Sequence, residues 1–154
     1  MRVFYLDTGA LIKHYVSESG TEWVDDTVYR PGDNLVLTSR ITMVEAWSAL
    51  ARRRQEASIS PQHHASALAA FREECVTRYR FVELGPAVVE VCGRLLEDHA
   101  LRAYDAVQLA SALVADQTLS AAGFVGTTFL CSDARLTTIA RIKGMLTDNP
   151  NLHT

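Results

Sequence analysis

The chain has 154 residues, a hydrophobic fraction of 48%, a charged fraction of 21% and a formal net charge of −3. These values describe one globular domain over residues 1–154 with enough apolar side chains for a real core, and they exclude a generally basic nucleic-acid binder. Cys75, Cys92 and Cys131 are widely spaced and odd in number, which argues against a disulfide framework and for a reducing, cytoplasmic setting. No apolar run approaches the roughly 18 residues of a membrane span, and Met1-Arg2-Val3 leads straight into a strand pattern without signal-peptide organisation.

Val3 to Leu6 is a short apolar, aromatic-rich run that reads as a buried strand. Asp7 follows at once, then Thr8-Gly9 and a short helix over 8–16. Asp7 has two readings, an N-cap of that helix or an acid at the ligand-binding edge of a parallel sheet. Ser17 to Gly20 breaks the helix, and Thr21 to Tyr29 is a second helical stretch. Arg30-Pro31-Gly32-Asp33-Asn34 is a turn, and Leu35 to Thr38 is the next strand.

Thr38 or Ser39 is expected to cap a helix over 40–56, with Met43, Val44, Trp47, Leu50 and Ala51 as its apolar stripe. At about 100° per residue, Glu45 falls nearly opposite Trp47, so periodicity alone places it in solvent. Arg52-Arg53-Arg54 suits the negative end of the helix dipole, a reading favoured over the alternative of an RNA phosphate contact. Ser60-Pro61 opens a helix to about Arg78, with Ala67, Leu68, Phe71 and Cys75 on one face. The adjacent His63 and His64 point apart on a helix and read as surface residues.

Tyr79 to Leu84 supplies a third strand, and Gly85-Pro86 starts a helix through about His99. The stretch from Leu101 to Leu113 is an alanine-rich helix with Asp105 in its first turn, where the dipole favours a carboxylate for structural reasons alone. Thr118 to Gly126 reads as the end of that helix plus a loop. Thr127 to Cys131 is a strand, followed by Ser132-Asp133 and a helix to about Ile142. This repeats the strand, Asp, helix order of the opening. A last short strand falls within 143–150.

Asp7 and Asp133 thus follow two strands, Asp105 opens a helix, and Glu45 lies within a helix after a third strand. In an open parallel sheet these positions share one edge. Four carboxylates gathered there repel one another unless a cation sits among them, and oxygen ligands without His or Cys suit Mg²⁺ or Mn²⁺. Such an ion can polarise a phosphodiester and lower the pKa of a bound water.

The motifs Phe4-Tyr5-Leu6-Asp7-Thr8-Gly9-Ala10-Leu11, Ser39-Arg40-Ile41-Thr42-Met43-Val44-Glu45, Leu101 to Ala110 around Asp105, and Leu130-Cys131-Ser132-Asp133-Ala134-Arg135-Leu136 resemble, in order, those of the PIN-domain ribonucleases and, within them, the VapC-type toxins. The resemblance implies a three-layer α/β/α fold with a central parallel sheet of about five strands. It implies that Asp7, Glu45, Asp105 and Asp133 bind Mg²⁺ (or Mn²⁺) and carry RNA hydrolysis, with Thr8 and Ser132 in support. For Glu45 it overrides the periodicity. Gln108 stands where many relatives carry His, which touches only a secondary polar role. A homodimer and a small cognate antitoxin that blocks the cleft are implied too.

A haloacid-dehalogenase-like phosphatase would need a second acid at Gly9, and a cysteine phosphatase would need Cys131 and an arginine six positions apart. The different-class alternative is a catalytically silent PIN-like module that binds RNA or a partner protein.

Overall fold

Alternation in the first strand sets the plan of the molecule. The computed structural model describes residues 1–153, and in it β1 (Val3–Leu6) is buried along its whole length. Val3 and Tyr5 face one core and Phe4 and Leu6 the other, as period-two side chains must. A strand buried on both faces belongs in the middle of a parallel sheet. β2 (Leu35–Ser39) and β4 (Thr127–Leu130) flank it, with Tyr5 level with Leu37 on one side and Phe129 on the other. β3 (Tyr79–Val82) and β5 (Leu146–Asp148) complete an all-parallel sheet of order β3-β2-β1-β4-β5.

Helices cover both faces, giving the expected three layers. One core lies under α1 (Thr8–Ile12), α2 (Thr21–Val24), α3 (Thr42–Gln55) and α4 (Pro61–Thr77), with Leu11, Val24, Leu50 and Phe71 among its members. The other lies under α5 (Pro86–Asp98), α6 (Ala103–Ala121) and α7 (Ala134–Ile142), with Cys92, Leu109 and Leu136. Alanines 106, 110 and 112 of α6 are fully buried, and small side chains let that helix lie close to the sheet. Chain order reverses between β1 and β4, so the crevice beyond their carboxyl ends is the topological switch point.

Several expected boundaries shift. The helix after Asp7 ends at Ile12 rather than 16, and the stretch to Tyr29 widens into a π-helical turn over Asp25–Tyr29. The third strand stops at Val82, and α6 absorbs Thr118 to Ala121, leaving a loop of 122–126. α3 begins at Thr42 with no side-chain cap: Thr38 and Ser39 remain in β2, and Ser39 only accepts a hydrogen bond from the Ile41 amide at 3.3 Å.

The expected stripe on α3 is corrected too. Its buried line is Thr42, Ala46 and Leu50, whereas Val44 and Trp47 are 70% and 44% exposed. Of the expected stripe Leu50 is buried and Met43 packs half-buried on the same core, while the small Thr42 and Ala46 take the closest positions to the sheet and α1. Trp47 instead lies under the Arg72 guanidinium, 5.5 Å from its ring. His64, expected on the surface, is half-buried, while His63 is exposed.

A polar knot holds the start of β3 to the turn after α1, the π-turn and α4. His14 Nδ1 is 2.5 Å from Asp25 and its Nε2 is 3.5 Å from Glu74, while its ring stacks on Tyr29 at 3.7 Å. Tyr79 hydrogen-bonds the hydroxyls of both Tyr15 and Tyr29, and Glu74 accepts from Tyr15. Phenol pKa values here are pushed well up by burial, so the tyrosines stay neutral.

Candidate active site at the carboxyl edge of the sheet

Asp7 is the residue immediately after β1, and its amide continues the ladder by donating to Leu130 O at 3.2 Å. Its Oδ1 accepts from the Ala10 amide at 2.7 Å, which makes it the N-cap of α1. Both readings of the sequence therefore hold in part: it is a cap and it is at the ligand edge. Asp133 does the same for α7, its Oδ1 accepting from the amides of Arg135 (2.9 Å) and Leu136 (3.1 Å). In each case one oxygen is spent on a helix, and the Cys131 thiol also stands against the Asp7 carboxylate.

Glu45 is half-buried, not solvated. α3 meets three environments, and Glu45 lies on the one facing the cleft. Its Oε1 accepts from Thr8 Oγ1 at 2.9 Å and from Gln108 Nε2 at 2.8 Å. Gln108 is nearly fully buried, and every polar atom of its carboxamide is used. Tyr5 OH donates to its Oε1 at 2.8 Å, and Nε2 also donates to Thr42 Oγ1 at 2.9 Å. Thr42 and Thr38 hydroxyls share a proton contact at 2.7 Å, and Thr38 donates to Leu6 O at 2.8 Å. Proton counting gives one consistent direction: amide to Thr42, Thr42 to Thr38, Thr38 to the backbone.

Asp105 lies in the first turn of α6, half-buried. Burial raises its pKa above the usual carboxylate value and Asp133 raises it further, while Arg102 and Arg135 pull it down. Asp7 is pushed up to about 6, first by burial, with Cys131 and the Ala10 amide opposing and with Glu45 and Asp105 adding to the rise. The Cys131 thiol is itself held up by burial and by Asp7, so it stays protonated beside that carboxylate. The four acids are thus brought to one edge within reach of each other's charge.

The donor set suits a hard divalent cation: carboxylate oxygens and no imidazole, with Asp7, Glu45 and Asp105 half-buried and Asp133 exposed at the rim. Ser132 Oγ is buried there without a partner. A Cβ on Gly9 would stand 3.6 and 3.9 Å from the Asp7 oxygens, so the glycine leaves open space beside that carboxylate. Among the described residues no three His, Cys, Asp or Glu groups converge tightly enough to enclose an ion. The adjoining cleft, about 330 Å³, is lined by Thr8, Glu45, Arg52 and Tyr104, among others.

Sequence reasoning missed Tyr5, Thr38 and Thr42 as parts of the Glu45 support, and Arg52 and Tyr104 as cleft residues. Tyr5 looked like one more apolar strand residue, although a fully buried phenol needs a partner, and that requirement could have pointed to it.

The family model of the PIN domain matches residues 4–123. Ribonuclease VapC45 of Mycobacterium tuberculosis strain CDC 1551 / Oshkosh is 32% identical over 144 residues, covering 94% of this chain and 93% of that relative. Ribonuclease VapC49 of strain ATCC 25618 / H37Rv aligns to the same extent. The fold is similar to that in the crystal structure of VapBC2 from Rickettsia felis bound to a promoter DNA fragment, with a TM-score of 0.63, 12% identity, and 96% and 98% of the two chains covered. A toxin–antitoxin complex from Klebsiella pneumoniae gives a TM-score of 0.57 at 18% identity, covering 95% and 96%.

Proposed function

This chain belongs to the PIN-domain family, and from that premise we propose that it is a ribonuclease, the toxin of a toxin–antitoxin pair, that cuts RNA endonucleolytically with Mg²⁺ or Mn²⁺. The carrying observation is the gathering of Asp7, Glu45, Asp105 and Asp133 at the switch point, with one oxygen of three of them pinned by amides, Thr8 or Gln108. Relatives named as ribonucleases support the reaction class, and neighbours that are toxin–antitoxin complexes support the biological setting.

Asp7, Glu45, Asp105 and Asp133 would hold the cation. A divalent ion held there supplies Lewis-acid polarisation of the phosphodiester and neutralises charge developing in the transition state. Thr8 and Gln108 fix the Glu45 carboxylate through Oε1 and leave Oε2 for the ion. Asp7 and Asp133 are fixed in the same manner by helix amides, so their second oxygens are presented without rotamer search. Ser132 Oγ is a buried hydroxyl available to a ligand or water. Burial around Asp7 strengthens the charge interactions of its carboxylate.

In the same reading residues 1–154 act as one PIN-like domain in the cytoplasm, and the exposed Val44 and Trp47 of α3 offer an apolar face for a second copy in a homodimer. A cognate antitoxin would silence the enzyme by bringing basic groups to the acidic cleft. No helix among the described residues is long and apolar enough to cross a membrane.

The test is RNA hydrolysis by purified, antitoxin-free protein with and without Mg²⁺ or Mn²⁺, beside Asp7→Asn and Asp105→Asn. Cutting that needs the ion and disappears in both folded variants is the expected result. Protein that cuts no RNA with either ion across a broad substrate panel would return the chain to the silent-module reading. Full activity in both variants would overturn the metal assignment.

A further inference from the structure

Five tyrosines occur in the chain. Tyr5, Tyr15, Tyr29 and Tyr79 are buried, and each hydroxyl is hydrogen-bonded to another side chain. Tyr104 is different: it is 60% exposed, and neither an aromatic neighbour nor a hydrogen bond engages it among the described residues. It precedes Asp105 in the first turn of α6 and lines the same cleft as Glu45 and Thr8. A large flat ring is thus left unpartnered at the acids, whereas single exposed apolar residues elsewhere need no explanation.

The surrounding charge is equally specific. Arg52 lines this cleft from α3, two turns after Glu45. The charges of Arg102 and Arg135 reach Asp105 from the start of α6 and the first turn of α7. None of the three arginines is in an ion pair among the described residues, although Arg30, Arg40, Arg53 and Arg78 all are. A chain of net charge −3 therefore keeps uncommitted guanidinium groups around a carboxylate cluster. Such groups offset the repulsion that a polyanion meets on approaching those acids.

We infer that Tyr104 is a stacking platform for one unpaired nucleobase beside the scissile phosphate, with Arg52 receiving a neighbouring backbone phosphate. This deepens the ribonuclease reading and rests on it. Every base has a π-face, so the platform tolerates sequence but requires a base that is out of the helical stack. A base in A-form duplex keeps both faces covered and cannot reach the ring.

The experiment measures binding of a fluorescently labelled, short oligoribonucleotide pool in EDTA, so that no cutting occurs, with the same pool annealed to its complement as duplex. Wild-type protein is expected to prefer the single strand. Tyr104→Ala is expected to weaken that binding about five- to hundredfold, the span measured for losing one base–aromatic stack, while Tyr104→Phe and Tyr104→Trp retain it. Arg52→Ala should weaken binding to all sequences and lower the salt slope by about one. Thermal melting of each variant separates lost folding from lost stacking. Equal affinity in wild type and Tyr104→Ala, equal loss in the Ala and Phe variants, or equal affinity for duplex and single strand overturns the inference, as does a wild type that binds neither. Wild-type protein that binds through Tyr104 but cuts no RNA with Mg²⁺ or Mn²⁺ would instead overturn the ribonuclease reading alone.

Discussion

The Gln108 carboxamide on α6 donates to Glu45 Oε1 on α3 at 2.8 Å, and its own oxygen is held by Tyr5 at 2.8 Å. One buried side chain thus ties the orientation of a cleft carboxylate to the central strand. Gln108→Leu keeps the approximate volume but removes the donor, and it strands the Tyr5 hydroxyl and Thr42. Loss of such an outer support of a metal ligand typically lowers metal affinity or activity about 10–100-fold. The stranded polar groups should also cost about 1–3 kcal/mol of stability. Calorimetric Mg²⁺ titration and kcat/KM on RNA read the first effect, and urea unfolding the second. Unchanged Mg²⁺ affinity in the folded Leu variant would remove Gln108 from any positioning role.

Asp7 carries the acid whose ionisation the fold resists most visibly among the four. Its carboxyl is pushed up to about 6 chiefly by burial, with Glu45 and Asp105 adding to the rise. The folded state therefore holds this proton more tightly than the unfolded chain does. Stability from Asp7 is present at low pH, falls as pH rises between about 4 and about 6, and stays lost above that. The difference amounts to about 3 kcal/mol at most. In EDTA, Asp7→Asn should melt above wild type at pH 7 and lose that advantage near pH 4. Mg²⁺ should raise the wild-type melting temperature at pH 7 far more than that of the variant. A wild type that melts as high as Asp7→Asn at pH 7 would contradict the burial argument.

Gly20 couples the start of α2 to the end of the chain. Its φ is +83°, and a Cβ there would stand 2.3 Å from Pro150 O and 2.7 Å from its carbonyl carbon. Both the left-handed backbone and the backbone contact exclude a side chain. Gly20→Ala should destabilise by about 1–3 kcal/mol, as overpacking against an unyielding neighbour does. The same change should loosen the closing turn at Pro150, whose neighbour His153 stacks on Trp23 at 4.0 Å. Denaturant unfolding and the Trp23 emission read these two effects, and an unchanged midpoint would disprove the close approach.

Asp7 and Asp133 were legible in the sequence because one position serves two physical needs. The residue that caps a helix after a parallel strand is also the one delivered to the ligand edge. The buried strand at Val3 to Leu6 was equally readable as an apolar run, and the five-stranded parallel plan followed from the family resemblance. Glu45 resisted periodicity because that argument divides a helix into a wet face and a dry one. α3 has a third, the cleft, lined by Val44, Glu45 and Arg52, beside an apolar surface where Val44 and Trp47 are exposed. The Tyr5–Gln108 contact joins residues 103 positions apart. Nothing local to either segment encodes that meeting; it follows only once the sheet order is set.

His14 should give the protein a stability limb on the alkaline side. Burial opposes its positive charge, but hydrogen bonds and charge from Glu74 and Asp25 outweigh that, so its pKa is raised above 6.5. Both ring nitrogens face carboxylates, and both can donate only in the imidazolium form. A raised folded-state pKa means stability fully present below about 6.5 and lost as pH climbs through the folded value. Glu74 acts in the opposite direction: burial raises it, but His14, Tyr15 and Arg78 bring it below its ordinary value, so its contribution fails as pH drops under about 4.5. Asp7 is half ionised at about pH 6 and still contributes to the slope just above it, so the His14 share is read as the difference between wild type and His14→Gln. Between pH 6 and pH 9 the wild-type unfolding free energy should therefore decline, and His14→Gln should flatten the decline while lowering stability at pH 6. Parallel urea titrations of the two proteins across that range measure it, and identical slopes would show that the imidazolium contributes nothing to holding the turn after α1 against the π-turn and α4.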